Sequence, residues 1–290
     1  MSGARVAVIG GSGFYSLEDL ADVEEVRPDT PFGPPSDVIV IGSLKGTRVA
    51  FLPRHGRGHR ILPSDLPSRA NIYALKTLGV EFVIGVSAVG SLRESIAPMD
   101  LVVPDQLIDR TAGRPGTFFG DGLVAHVGFA EPFCPVLRHA LHEASTEAGA
   151  TVHDGGALVV MEGPAFSTRA ESALYRSWGA SLIGMTALPE AKLAREAEMC
   201  YATLACTTDY DCWHESYASV TAEMIVRNLM ESLAMARQAV LLALDRLPAQ
   251  RDCPCGTALR DAVVTPWHLV PESTKQKLTP IIRRYLEQAQ

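Results

Sequence analysis

The chain has 290 residues, 47% of them hydrophobic and 20% charged, which is the composition of a globular protein with enough apolar surface for a substantial core. Its formal net charge of -7 argues against a nucleic-acid-binding protein, and an anionic substrate would need a local cluster of donors to overcome this field. No apolar run approaches the ~20 residues of a membrane helix, and the first residues do not resemble a signal peptide, so we expect a cytoplasmic protein that binds neither membranes nor nucleic acids.

Short apolar runs alternate with helical patterns along the chain. Strands are predicted at residues 5–10, 38–41, 48–52, 82–86, 100–103, 106–108, 158–161, 182–183 and 200–206. Helices are predicted at residues 68–78, 135–148, 169–178, 189–197, 221–246 and 273–289. This alternation indicates an α/β architecture around a central sheet. Because no internal repeat or linker is visible, we expect a single domain over residues 1–290, with a helical tail at about 250–290.

Two segments stand out by their pattern. Between residues 221 and 246, apolar side chains recur at spacings of three and four, which predicts a long helix with one apolar face against the sheet. Residues 111–131 are rich in glycine and aromatic residues but have no clear period, which predicts a long functional loop.

Six glycine-rich or polar segments each follow a predicted strand, where α/β folds assemble their ligand sites. They cover residues 10–13, 53–59, 85–92, 162–169, 184–186 and 207–213. None of the six is decisive alone, but their shared position at strand ends predicts one common site.

The first segment, Gly10-Gly11-Ser12-Gly13, lets backbone N–H groups and a hydroxyl approach an anion closely. A dinucleotide-binding turn would need glycine where this chain has Ser16. A tight structural turn explains the four residues equally well.

Two further segments are suited to an anion. Arg54 and His55 follow a strand directly, and they predict multidentate binding of phosphate by arginine with a further donor from histidine, although a solvated basic loop is the alternative. The segment around Ser87 lacks the glycine two residues later that a hydrolase nucleophile requires, since Val89 occupies that position. We therefore interpret it as an anion cradle.

Other segments are suited to a flat heterocycle. Phe166 can stack on such a ligand, and Thr168 beside it is also a candidate helix cap. Asp209 and Asp211 invite a metal site, but no histidine or third carboxylate lies at a recognisable ligand spacing. A carboxyl group held in a closed pocket can instead share a proton with a ring nitrogen.

The cysteines do not predict a metal site. Cys253 and Cys255 flank one proline, but a zinc site would need a second pair at suitable spacing, and the sequence has none. The other four are scattered among apolar residues and are expected to be small buried side chains. A redox-active pair is the alternative to two ordinary reduced thiols at Cys253 and Cys255.

Nine segments, in order from about residue 6 to about residue 244, together resemble the trimeric purine nucleoside phosphorylase family, and most closely its methylthioadenosine phosphorylase branch. They are Gly10-Gly11-Ser12-Gly13, Asp29-Thr30-Pro31-Phe32-Gly33, Arg54-His55-Gly56, Ala70-Asn71-Ile72, Gly90-Ser91-Leu92-Arg93, Glu131-Pro132-Phe133, Glu162-Gly163-Pro164, Met185-Thr186 and Thr208-Asp209-Tyr210-Asp211. The resemblance implies an α/β domain with a central mixed, partly barrel-like β-sheet surrounded by helices.

The resemblance also implies a role for particular residues. Phosphate would be held by Ser12, Arg54, His55, Ser87, Ala88 and Thr186. The nucleoside would contact Phe166, Met185, Thr208, Asp209, Asp211, Val220, Ala222, Ile225 and, from a neighbouring subunit, His126. Asp209 and Asp211 would be the catalytic pair. Relatives that act on 6-oxopurines typically have asparagine at the position of Asp209, so its carboxylate indicates adenine.

The activity implied is phosphorolysis of S-methyl-5′-thioadenosine to adenine and S-methyl-5-thioribose 1-phosphate, in purine and methionine salvage. Inorganic phosphate is then a co-substrate, no metal or organic cofactor is needed, and a homotrimer, or a dimer of trimers, is expected. In thermostable archaeal members a pair like Cys253 and Cys255 can form a disulfide. The alternatives are an adenosine phosphorylase, since Ala222 leaves a roomy pocket, a 6-oxopurine or broad-specificity phosphorylase, a nucleoside hydrolase, and a nucleoside-binding module without turnover.

Overall fold

The computed structural model describes residues 3–11, 20–214 and 221–288. Ser12 and Val220, both predicted site residues, lie outside these ranges. The strands within them are β1 (Val6–Gly10), β2 (Ala21–Val26), β3 (Ile39–Leu44), β4 (Thr47–Pro53), β5 (Phe82–Ser91), β6 (Leu101–Val103), β7 (Gln106–Arg110), β8 (Val152–Asp154), β9 (Ala157–Met161), β10 (Leu182–Gly184) and β11 (Cys200–Asp209). The helices are α1 (Ser68–Thr77), α2 (Pro135–Glu147), α3 (Arg169–Ser177), α4 (Ala187–Glu196), α5 (Ala222–Leu244) and α6 (Glu272–Gln288).

One mixed sheet, branched at β5, organises the molecule. Its main path runs β2-β3-β4-β1-β5-β10-β9-β7, and β11, β6 and β8 extend from β5 as a second arm. β1 lies parallel between β4 and β5, whereas β10 is antiparallel to the end of β5. This mixed sheet, with strands and helices alternating along the chain, confirms the predicted α/β class.

Helices cover both faces of the sheet because side chains alternate along each strand. In β1, Val6 and Val8 join an apolar cluster with α2 and α5, while Ala7 and Ile9 join a second cluster with α1, α4 and α6. The apolar stripe predicted for α5 is buried over its second half and less so at its start. None of the helices in the described ranges is long and apolar enough to cross a membrane.

Two strands are longer than predicted. β5 continues to Ser91 and β11 to Asp209, and they pair in parallel register along this added length, with Ala205 opposite Ser87. Serine and glycine in one stretch and aspartate in the other interrupt the apolar pattern, and pairing between the two strands makes both stretches extended. The prediction that residues 85–92 follow a strand is therefore wrong.

Two other strands escaped prediction. β2 has the sequence Ala-Asp-Val-Glu-Glu-Val and is a largely exposed strand at the end of the sheet path, so it lacks an apolar run. β8 has only three residues and no fully buried side chain. Neither contributes to the apolar pattern from which strands are recognised.

Candidate active site

The ends of β1 and β4 bring the glycine segment and the basic segment together. Gly10 and Pro53 are register partners in the parallel pair, and the N–H of Arg54 donates to the carbonyl of Gly10 at 2.9 Å. The backbone that leads into the predicted anion turn therefore lies directly beside Arg54, as expected for two segments at the same sheet edge.

The guanidinium of Arg54 is buried and paired with the buried carboxylate of Glu190, which no sequence pattern indicated. Nε donates to Glu190 Oε1 at 2.6 Å and Nη2 donates to Oε2 at 3.1 Å. Nη2 also donates to the carbonyl of Ile9 at 3.1 Å, and Nη1 to that of Val86 at 2.8 Å. Burial would lower the pKa of Arg54, but the Glu190 carboxylate holds it above its ordinary value.

These bonds change the predicted role of Arg54. Four of the five N–H groups of an arginine are used by described residues, so one remains for another acceptor. Phosphate binding by Arg54 stays a prediction, and in this arrangement most of its donors are already used within the protein. Arg54 still offers one N–H group and a fixed positive charge.

Tyr201 completes the buried ion pair. Its hydroxyl donates to Glu190 Oε2 at 3.0 Å. The ring lies so close to β5 that a Cβ on Gly85 would be 2.6 Å from the hydroxyl oxygen, a distance at which the ring would have to move. Burial, with Glu190 beside it, raises the pKa of Tyr201, so the phenol stays protonated and acts as a donor.

His55 is a buried neutral imidazole. Its Nδ1 lies 2.8 Å from the carbonyl oxygen of Ile61, and because a carbonyl can only accept, Nδ1 carries the proton. The ring stacks on His59 with centroids 4.2 Å apart. Burial, with Arg54 and His59 nearby, lowers the pKa of His55 to about 4. Nε2 therefore presents a lone pair in this protonation state, and the role of His55 in phosphate binding stays a prediction.

The other predicted phosphate residues described by the structure surround this ion pair. Ser87 and Ala88 are half-buried in β5, directly after Val86, whose carbonyl accepts from Arg54. Thr186 is buried and precedes α4, which carries Glu190. The Arg54–Glu190 pair therefore connects β5, which carries Ser87 and Ala88, with α4, which follows Thr186.

Asp209 and Asp211 are buried at the end of β11. Asp209 Oδ1 accepts from the N–H of Asp211 and Oδ2 accepts from the Thr208 hydroxyl, each at 2.7 Å. Glycine at residue 90 leaves room for the Asp209 carboxyl group, since a Cβ there would be 3.0 Å from Asp209 Oδ1. Asn228 of α5 donates to the Thr208 carbonyl at 2.6 Å and so fixes the strand end.

The two carboxyl groups have raised pKa values and one atom without a partner. Burial raises the pKa of both Asp209 and Asp211, although hydroxyl groups nearby offset part of the effect. Asp211 has a left-handed backbone with φ of 50°, which is uncommon outside glycine, asparagine and aspartate. Its Oδ2 is buried and has no hydrogen bond of ordinary geometry from the described residues, although the hydroxyl groups of Ser167 and Ser172 lie near this carboxyl group. Such an atom is typical of a site completed by a ligand.

Arg114, in the long loop, holds two predicted substrate segments together. It donates through Nη1 to the carbonyl of Met185 at 2.6 Å and through Nη2 to that of Glu162 at 2.6 Å, and Nε pairs with the Glu162 carboxylate at 2.9 Å. Met185 packs against Gly163 so closely that a Cβ there would be 2.5 Å from its sulfur. Sequence reasoning missed Arg114 because its partners are 47 or more residues away.

Four predicted substrate residues lie at the surface or only partly buried. Phe166 is 45% exposed, and Ala222 is exposed and Ile225 half-buried in the first turn of α5. His126 is exposed too, and its N–H donates to the carbonyl of Ala262 at 2.8 Å. No described contact joins His126 to the carboxylates of the same chain.

The fold and the site define a class of enzyme. A mixed α/β sheet in which one strand, β5, contacts a fixed basic group at Val86 and a buried carboxyl pair at Gly90 is suited to group transfer between an anion and a heterocycle. The sequence profile of the phosphorylase superfamily matches residues 5–245, and the chain belongs to this superfamily.

Individual relatives are similar over almost their whole length. S-methyl-5′-thioadenosine phosphorylase from Gloeobacter violaceus is 58% identical over 97% of this chain and 96% of its own. The crystal structure of a methylthioadenosine phosphorylase from an antarctic soil metagenomic library has a TM-score of 0.93 at 49% identity, covering 97% of this chain and 99% of that chain. The Schistosoma mansoni methylthioadenosine phosphorylase in complex with adenine has a TM-score of 0.82 at 33% identity, covering 97% and 98%.

Proposed function

We propose that this chain is a pentosyltransferase that cleaves S-methyl-5′-thioadenosine with phosphate, giving adenine and S-methyl-5-thioribose 1-phosphate. The relatives described above carry this substrate in their names. The chain spans nearly the whole of each. The reaction places the enzyme in purine and methionine salvage, in the cytoplasm.

The buried Oδ2 of Asp211, which receives no hydrogen bond of ordinary geometry from a described residue, is the observation that supports the choice of adenine. A carboxylate oxygen can only accept, and the 6-amino group of adenine donates, so the base supplies the missing bond. A 6-oxo group would bring a second acceptor against this oxygen. Leaving such a buried polar pair unsatisfied can discriminate strongly between two otherwise similar bases.

Asp209 acts on the leaving base. Because burial raises its pKa, Asp209 can carry the proton that it donates to N7 of adenine as the N9–C1′ bond breaks and its electron pair passes to the purine. Thr208 and the Asp211 N–H hold its two oxygens. The proton released when the phosphate ester forms returns to Asp209, which restores the starting state.

Phosphate captures C1′ from the site formed by Ser12, Arg54, His55, Ser87, Ala88 and Thr186. The remaining N–H group and the positive charge of Arg54 attract the dianion, while Glu190 fixes the direction of that charge. The lone pair at His55 Nε2 accepts from the protonated oxygen of monohydrogen phosphate. Catalysis then comes from positioning and fixed charge, without a covalent intermediate and without a metal or organic cofactor in the reaction.

The sugar and its 5′ substituent are covered by less buried residues. Met185 contacts the ribose, the exposed ring of Phe166 covers the purine, and Val220, Ala222 and Ile225 line the apolar 5′ pocket. His126 reaches that pocket of the neighbouring subunit. Val124 lies two residues from His126, and Val264 and Leu269 lie within or just after residues 262–265, which pair with this loop. All three apolar side chains are exposed, which supports burial of this surface in a homotrimer.

Two variants test the base recognition against a matched control. Asp209→Asn removes the proton donor, so kcat for methylthioadenosine should fall by about 10²- to 10⁴-fold. Asp211→Asn keeps a residue that tolerates the left-handed backbone, but it removes the charged acceptor, and kcat/KM should fall about 10- to 100-fold. Asp154→Asn, which removes an exposed carboxylate, should change neither.

The ratio of methylthioadenosine to inosine turnover separates base recognition from general damage. We expect both active-site variants to lower this ratio, because Asp211→Asn weakens the contact with the 6-amino group and relatives that act on 6-oxopurines typically have asparagine at the position of Asp209. An unchanged ratio in both variants, or wild-type preference for inosine, would contradict the proposal.

A further inference from the structure

Four cysteine thiols from three distant parts of the chain meet beneath the sheet. Cys134 precedes α2, Cys200 begins β11, and Cys253 and Cys255 lie in the segment between α5 and α6. All four sulfur atoms lie within 4.8 Å of one another, and the Cys200 and Cys253 sulfurs are 3.3 Å apart. Sequence reasoning missed the second pair because Cys134 and Cys200 have no neighbouring cysteine along the chain.

The spacing of the sulfurs fits one tetrahedral metal ion. Zinc–sulfur bonds of about 2.3 Å in a tetrahedron place the sulfurs about 3.8 Å apart. The four sulfurs here all lie within 4.8 Å of one another, and Cys200 and Cys253 have sulfurs 3.3 Å apart. A disulfide would need two sulfurs about 2.05 Å apart, and all six cysteines of the chain are free thiols in the structure. Small side-chain rotations would therefore suffice to bind a metal.

The surroundings of the cluster also suit a closed structural site. Cys134, Cys200 and Cys255 are buried within the apolar cluster between the sheet, α2 and α5, and Cys253 packs against it. Four thiolates around zinc leave no position for water or substrate, which is typical of structural zinc sites. The Cys134 N–H donates to the carbonyl of Tyr201, whose hydroxyl belongs to the Arg54 site, but none of the described hydrogen bonds joins a sulfur of the cluster to Arg54 or Asp209.

We propose that Cys134, Cys200, Cys253 and Cys255 bind one zinc ion that fastens the C-terminal segment to the sheet. Four S–H bonds lose their protons to solvent as four Zn–S bonds form, with no change in oxidation state. This is a structural role, independent of the proposed reaction.

The fastened segment has its own contacts with the rest of the chain. Leu259 N–H donates to Glu198 at 3.0 Å, and the Tyr285 hydroxyl donates to the same carboxylate. Ala262 accepts from His126, and Val263 pairs with Ala125. A bound ion would therefore stabilise the tail and the loop that carries His126 together.

Metal content and thiol content of the full-length protein test the proposal. The protein is expressed with zinc and purified without a chelator, and elemental analysis should then find one zinc per chain. After the protein is unfolded in the presence of EDTA, all six thiols should react. Replacement of zinc by Co²⁺ should give the absorption of a tetrahedral tetrathiolate complex. These measurements need no variant and so do not depend on a variant's folding.

Two variants localise the metal. Cys253→Ser alters the half-buried ligand and should reduce zinc below one tenth per chain, whereas Cys212→Ser lies outside the cluster and should retain one zinc. Two reactive thiols without zinc would mean that the cluster forms two disulfides, and this would overturn the proposal. Six reactive thiols with no zinc or cobalt bound after reconstitution would overturn it as well.

Discussion

The buried Arg54–Glu190 pair gives the largest expected effect of a single conservative change. Both side chains are nearly inaccessible, with exposures of 3% and 1%, and Glu190 accepts from Arg54 through both oxygens and from Tyr201. Glu190→Gln keeps the shape but leaves the guanidinium charge buried without its counterion. Removing one partner of a buried pair costs about 3–5 kcal/mol, which corresponds to a fall in the unfolding temperature of at least about 6 °C.

Thermal and urea unfolding, compared with an exposed pair, measure this effect. Lys45 and Asp245 are 3.3 Å apart but 51% and 52% exposed, so Asp245→Asn should cost less than about 1 kcal/mol. The scan should be run in buffer without phosphate, since a bound anion would itself act as a counterion to Arg54. If Glu190→Gln is as stable as Asp245→Asn, the Glu190 carboxylate does not stabilise the buried guanidinium of Arg54, which would contradict the expected effect.

Three further changes follow from the geometry of the site. Burial lowers the pKa of His55 to about 4, so the folded chain resists a protonation that the unfolded chain accepts. The free energy of unfolding should therefore fall as pH drops from about 6.5 towards 4. In His55→Gln, urea unfolding should show a pH-dependent loss that is smaller by up to about 3 kcal/mol over this range. Gly90→Ala brings a Cβ to 3.0 Å from the Asp209 oxygen and should lower kcat at least 10-fold, whereas Gly128→Ala, with open space around it, should leave kcat unchanged in the same assay. Arg114→Met removes donors to five acceptor atoms and should raise KM for the nucleoside while lowering the free energy of unfolding by at least about 2 kcal/mol; equal KM values would argue against its role in holding the Glu162 and Met185 segments together.

The strand and helix pattern was predictable because most elements bury an alternating or helical apolar face. β1 and α1 lie within one residue of their predicted bounds. The edge strand β2 was not predictable, since its polar residues belong to a strand only through pairing with β3. The roles of Asp209 and Asp211 stay predictions, and the structure adds that both carboxyl groups are buried at the end of β11.

The partners that tune the site could not be inferred from local sequence. Glu190 is one acidic residue in a helix, and only the fold brings it 136 residues along the chain to Arg54. The tautomer of His55 depends on the carbonyl of Ile61 and its lowered pKa depends on burial, and no sequence pattern indicates either. Cys134 and Cys200 likewise join Cys253 and Cys255 only in the folded chain.

Adenine release from methylthioadenosine, measured with and without inorganic phosphate, tests the central claim most directly. The anion site around Arg54 and the buried acceptor on Asp211 predict release only when phosphate is present, with one sugar 1-phosphate formed per adenine. They also predict slower turnover of inosine. Equal release in phosphate-free buffer, or adenine formed together with the free sugar, would contradict the account.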